Sequence, residues 1–144
     1  MMAFIFVHSA MPADLSEQES SVFAEIAARL LHLDPETASY LVRKLAHFSE
    51  YLVLGIFLML FADGFRMPKG SGFGSRFLKR GLPAWIGGTL YAVTDEIHQR
   101  FVPGRSCELR DVCIDAAGVL TGVLIWLLIR KLRSCCSISS RDGT

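Results

Sequence analysis

The sequence predicts an all-α integral membrane bundle of about three spanning helices, and three observations lead there. Hydrophobic residues make up 51% of the chain, and the mean hydropathy of +0.38 is above that of an average soluble domain. The apolar residues gather into three long runs separated by charged or glycine- and proline-rich stretches. The few ionisable residues inside those runs recur at helical spacing. That is expected where a costly charge faces a bundle interior instead of lipid.

The 144 residues suit one domain, spanning 1–133, with a polar C-terminal tail at 134–144. A net charge of +1 gives no basic footprint for nucleic acid. Cys107, Cys113, Cys135 and Cys136 form neither a Cys-x-x-Cys pair nor a zinc spacing, so they read as reduced and structural.

Residues 1–7 are apolar but too short to span a bilayer, which takes roughly 20 helical residues. They read as the end of a truncated helix, with a surface segment as the alternative. Residues 9–40 are acidic, with Ser16 and Glu19 spaced as a capping box ahead of Val22, Ile26, Leu30 and Leu33. This predicts an external amphipathic helix ending near Asp34-Pro35, its apolar face on the other helices or at the membrane interface.

The first span is predicted over 40–62, within a helix from Thr37 to Phe61. Arg43, Lys44, His47, Glu50 and Tyr51 share an arc of roughly 120° on it, and no charge follows before Asp63. Residues 63–81, with Arg66, Lys69, Arg76, Lys79 and Arg80 among glycines, predict a flexible basic loop. The second span, 82–100, opens with Pro83 in its first turn. It carries Gly88 and Ala92 on a close-packing face that runs on into Asp95 and Gln99. Pro103-Gly104 predicts a tight turn. The third span, 107–131, places Asp111, Asp115, Gly118 and Gly122 within about 60° of one another. Trp126 suits an interfacial anchor, Arg130, Lys131 and Arg133 stop the helix, and a disordered tail follows.

Basic clusters at 66–80 and 130–133 belong on the cytoplasmic side by the positive-inside rule. The expected topology is therefore multi-pass in the cell membrane with a cytoplasmic C-terminus. The polar ends of all three spans then converge at the extracytoplasmic face.

That convergence defines the candidate site. His47, Glu50 and Asp95 are its candidate acid/base or polarising groups, and His47 and Glu50, one turn apart, form the pair to back if chemistry occurs. Arg43, Lys44, Tyr51, Glu96, Gln99, Arg105, Asp111 and Asp115 are the candidate ligand-binding groups. Arg43, Lys44 and Arg105 suit an anionic head group, and Arg105 lies just before a helix N-terminus, which itself favours anions. Asp111 and Asp115 oppose an anion unless paired. Glu96 can instead pair with Arg100 at i, i+4, and His98 is expected at the rim. The donor types would suit a metal, yet no ligand spacing of a known kind is present, and neither metal nor cofactor is assigned.

Two ordered motifs carry a resemblance. They are Arg43-Lys44-Leu45-Ala46-His47-Phe48-Ser49-Glu50-Tyr51, and Thr94-Asp95-Glu96-Ile97-His98-Gln99-Arg100-Phe101-Val102-Pro103-Gly104-Arg105 followed by Asp111-x-x-x-Asp115-x-x-Gly118. Together with the serine-rich 9–21 segment, this pattern resembles the VanZ-like family over roughly residues 9–122. The resemblance implies a small bacterial integral membrane protein, typically of four membrane helices, whose namesake is associated with teicoplanin resistance. It implies no established reaction. Asp115 stands where many relatives carry Asn.

The functional expectation is therefore binding of an anionic membrane lipid or cell-envelope precursor, linked to glycopeptide resistance or envelope maintenance. The alternatives are a proton-coupled transporter relaying through His47, Asp95 and Asp115, and a structural subunit using Gly88, Gly118 and Gly122 for packing alone.

Overall fold

The computed structural model describes the backbone of residues 1–10, 13–64, 72–103 and 108–139, and their side chains except at 8, 13–21 and 135–139. Every regular element described is helical: α1 Met2–Ser9, α2 Ala13–Leu31, α3 Pro35–Asp63, α4 Phe73–Arg76, a π-helical turn Phe77–Gly81, α5 Leu82–Gln99 and α6 Leu109–Ser139. Arg66, Lys69, Gly104, Arg105 and the side chains of Ser16, Glu19, Cys107, Cys135 and Cys136 lie outside the described residues. Cys113 is a free, exposed thiol.

Helix α2 starts at Ala13, so Ser16 is an internal helical position and not a cap. The helix ends in a left-handed residue, His32 at φ 53°, and the Leu33 N–H reaches back to the Ala28 carbonyl at 3.1 Å. This is the Schellman closure, at a position where glycine is usual. Asp34 then caps α3, its carboxylate accepting the Thr37 N–H at 2.9 Å. That bond holds the exposed Asp34 carboxyl below its ordinary range, and Pro35 follows in the first helical turn.

Helices α3 and α6 make the most extensive contact in the molecule, and glycine permits it. A Cβ at Gly122 would lie 2.1 Å from the Leu52 carbonyl oxygen, and one at Gly55 would lie 2.4 Å from that of Val119. Each helix thus lays its backbone into a glycine notch of the other. Tyr51, Leu54, Met59, Ala92, Val119, Val123 and Leu127 form the core around this crossing, with Ile5 of α1 added. Helix α5 joins through Gly88, which faces Val119, and through the Trp85 indole N–H, which donates to the Ala116 carbonyl at 3.0 Å.

Among the described residues, two helices are long and apolar enough to cross a membrane: Pro35–Asp63, and residues Leu109–Ser134 of α6. Only 22% and 33% of their most apolar windows are buried, whereas a soluble protein's core helix would be mostly covered. Phe57, Phe61, Leu128 and Leu132 project outward, the surface expected of lipid-facing helices. The expectation of three spans is reduced to two by this measure. Helix α5 falls short because its last turns carry Asp95, Glu96, His98 and Gln99.

Two further expectations are corrected, and one is narrowed to the membrane-interface alternative. Residues 73–81 are helical and not loop. Phe77 packs on the core, Arg80 is tied to Asp63, and the π turn closes with the Leu82 N–H on the Phe77 carbonyl, just before Pro83. Helix α6 begins at Leu109 and continues through Ser139, so the first residues of the expected tail extend the helix. Helix α2 turns small residues towards its neighbours, with Ala24 buried, while Val22, Phe23, Ile26, Leu30 and Leu31 face outward. Its large apolar face is thus not spent on the bundle.

Candidate functional site

The site is built at the end of the bundle where α5 stops and α6 starts. The last turns of α5 bury Asp95, Glu96 and Gln99. Asp95, 2% exposed, accepts a bond on Oδ2 from the Gln99 amide at 3.2 Å, as their i, i+4 spacing allows. The hydroxyls of Ser9 and Tyr51 lie against the same carboxylate, yet neither they nor Asp95 Oδ1 closes a well-formed hydrogen bond.

Glu96 does not pair with Arg100, which is exposed. Its Oε1 accepts the Glu108 backbone N–H at 2.7 Å, capping the entry to α6 where orphan N–H groups and the helix dipole favour a carboxylate. Glu96 therefore fixes the α5–α6 connection.

One turn further on, Asp111 forms an ion pair with Lys44 of α3. Lys44 also sits 5.0 Å over the Tyr40 ring, and the Tyr40 hydroxyl accepts from Arg110 at 3.3 Å. Deeper still, Asp115 is 1% exposed. His47 Nδ1 lies 4.0 Å from its Oδ1, which has no hydrogen-bond partner. Asp95, Asp111, Glu96 and Glu50 all act on Asp115 electrostatically. Carboxyl groups from three helices thus lie within electrostatic reach of Asp115.

The structure brings His47, Glu50, Tyr51, Asp95, Glu96, Gln99, Asp111 and Asp115 into one neighbourhood, with Lys44 at its edge through Asp111. Arg43 is half-buried on the same stripe. Among the described residues, no three His, Cys, Asp or Glu side chains are grouped as a metal ligand set. His98 is half-buried. Its ring stacks on Phe6 with centroids 4.4 Å apart.

Sequence reasoning missed Ser9, which α1 delivers to Asp95; its only trace was the serine-rich segment within the resemblance. Helix α1 is held there by Ile5, by the Phe6–His98 stack and by the Tyr91 hydroxyl, which donates to the Met2 carbonyl at 2.7 Å.

A second polar cluster at the opposite end was also missed. Asp63 Oδ1 pairs with Arg80 at 2.6 Å. Its Oδ2 accepts from the Trp126 indole at 2.8 Å and meets Arg130 at 3.2 Å. Trp126 is thereby a strut between α3 and α6, and not simply an anchor at the interface. His47 and Asp63 are 16 residues apart on one helix, so the two clusters are separated by roughly 24 Å along the axis.

Two largely uncovered apolar helices with a buried polar cluster between them point to a membrane protein. The chain belongs to the VanZ/LLP1 family, whose model matches residues 1–130. No curated protein and no solved structure matches it.

Proposed function

We propose that this protein binds a phosphate-bearing membrane lipid or cell-envelope precursor at the α5–α6 end of the bundle, on the extracytoplasmic side. The observation that carries the reading is the convergence of buried polar groups from α1, α3, α5 and α6, several with atoms outside any hydrogen bond. Buried polar atoms are ordinarily satisfied within a protein, and ionisable groups beside lipid-facing sequence are ordinarily functional. Arg43, Lys44 and Arg105 supply the cations for the phosphate. Lys44 gives Asp111 one of its three N–H donors and keeps two. His47, Glu50 and Asp95 position or polarise the head group. A role in envelope maintenance or glycopeptide resistance is the physiological form this binding would take in the family.

The orientation rests on Arg80 and Arg130 meeting at Asp63, so the basic end of the bundle is cytoplasmic by the positive-inside rule. The chain then crosses the membrane more than once, with α5 as a third, shorter crossing and the C-terminus inside. A proton relay through His47, Asp115 and Asp95 is the second reading, favoured by the 4.0 Å approach of His47 to Asp115. It needs polar groups deeper in the membrane, and α3 carries none between Leu52 and Ala62.

The test is native mass spectrometry of the purified protein. A phosphate-bearing lipid or precursor should be retained by the wild type and lost on Arg43→Gln with Lys44→Gln. Equal retention by the double variant contradicts the reading. For sidedness, a cysteine at position 103 should label from outside in intact cells, and labelling only after the cytoplasmic face is exposed would reverse the orientation.

A further inference from the structure

Two buried carboxyl oxygens of the site, Asp95 Oδ1 and Asp115 Oδ1, have no hydrogen-bond partner, and a phosphate does not answer them. Asp111 is matched by Lys44, and Glu96 by the Glu108 N–H at the start of α6. Asp95 accepts the neutral amide of Gln99 on Oδ2, with the hydroxyls of Ser9 and Tyr51 beside it. Asp115 has His47 at 4.0 Å on one side and four other carboxylates around it.

A cluster of acids alone would not define a ligand site. The independent observation is Tyr51. Its side chain is fully buried, its hydroxyl is without a hydrogen-bond partner, and Asp95 and Asp115 are the two carboxylates that act on it. Asp95 Oδ1, Asp115 Oδ1 and Tyr51 Oη are thus three buried oxygens outside any hydrogen bond, with both carboxyl groups within electrostatic reach of Tyr51.

We propose that these three oxygens receive a primary ammonium group, so that the ligand is a zwitterionic amino-phosphate head group and not a purely anionic one. The inference rests on the phosphate-binding reading above and adds the substrate class. A primary ammonium has three N–H donors and one positive charge, which matches three unpartnered oxygens, two of them on acidic groups. A quaternary ammonium has no N–H to give and is recognised by aromatic cages instead.

The stripe on α3 orders the two halves of the head group. Lys44 lies at the outer edge, and Tyr51 lies seven residues further along the same helix. Phosphate thus sits outermost and ammonium deeper. Helix α1, eight residues long and packed on α5, closes the Asp95 side with Ser9 and is the wall that must shift to admit the group.

The experiment places full-length protein in mixed nanodiscs and compares bound phosphatidylethanolamine, phosphatidylcholine and phosphatidylglycerol by native mass spectrometry. The expected result is enrichment of phosphatidylethanolamine over both others by about tenfold, the scale of one buried charge contact. Asp115→Asn and, separately, Tyr51→Phe should erase or weaken that preference.

Retention of phosphatidylglycerol equal to phosphatidylethanolamine overturns the ammonium site while leaving the phosphate reading standing. Failure to enrich any of the three overturns both. These comparisons use the wild type, so they hold even if a variant does not fold. An unchanged preference in a folded Asp115→Asn protein also overturns the assignment. Free phosphoethanolamine distinguishes the source. Displacement of the lipid assigns recognition to the head group alone, and persistence of the preference without displacement assigns it to the membrane-borne form.

Discussion

The two ends of the bundle use the same residue types in opposite ways. At the Asp63 end, one carboxylate receives Arg80, Trp126 and Arg130. At the Asp95–Asp115 end, carboxylates from three helices are crowded together, with oxygens left outside any hydrogen bond. The first arrangement is what a structural ion pair looks like when its partners are complete. The second gives up stability at one place, the pattern expected where a site is shaped for something other than the chain itself. Helix α3 passes through both ends, so the contrast is between two environments of one helix.

The largest effect should come from the element that serves both ends. Gly122→Leu places side-chain atoms where the Leu52 carbonyl already stands, and overpacking of this kind costs about 3 kcal/mol or more. Thermal unfolding in detergent should show a large loss or no folded protein. A near-native melt would mean that the α3–α6 crossing is not held as described.

The next effect separates the ends. Asp63→Asn removes the charge that Arg80, Trp126 and Arg130 share, and hydrogen bonds to charged groups contribute about 1.5–3 kcal/mol. Arg130 is 44% exposed at its side chain, so most of that loss should trace to Arg80 and Trp126. Asp63→Asn with Arg80→Gln should then cost little more than Asp63→Asn alone. An additive double variant would show that the two groups do not act as a pair.

A smaller effect is expected at the edge of the open end. The Lys44–Asp111 pair has both side chains 19% exposed, and because it is one pair where Asp63 has three partners, Lys44→Met should cost less, about 1–2 kcal/mol. Its consequence for ligand retention should be the larger one. A stability loss as great as that of Asp63→Asn would place Lys44 with the structural pairs.

The smallest effect lies outside both ends, at Asp34. Its carboxyl is held below the ordinary value by the Thr37 N–H. A depressed folded value contributes stability that is present above the unfolded value and lost as pH falls through the folded one. Asp34→Ala should therefore lower the melting temperature slightly at neutral pH and make no difference in strong acid. A difference that persists in acid would deny the cap its role.

Helical periodicity made much of this legible. The Arg43–Tyr51 stripe, the Asp95–Gln99 alignment and the glycine face of α6 each follow from 3.6-residue spacing, and each is present. Periodicity names a face but not the partner opposite it. Glu96 could be placed beside Arg100 by spacing, whereas its actual partner is a backbone N–H twelve residues on, which only the α5–α6 turn brings near. Asp63 and Trp126 were read one at a time, as a loop start and an anchor, because 63 residues separate them in sequence. Ser9 was invisible for the same reason, since its value comes from α1 lying on α5. The 73–81 segment misled because glycine and basic residues signal a loop, while packing of Phe77 and pairing of Arg80 override that local preference.

One end of the bundle is thus proposed to serve stability and the other a ligand. The most direct measurement compares the melting temperatures of Asp63→Asn and Asp115→Asn in the same ligand-free detergent. A neutral amide keeps the shape of Asp115 and removes a buried carboxyl group set among other acids, so Asp115→Asn should melt at or above the wild type while Asp63→Asn melts well below it. If Asp115→Asn falls as far as Asp63→Asn, both ends are structural and the account of the site is wrong.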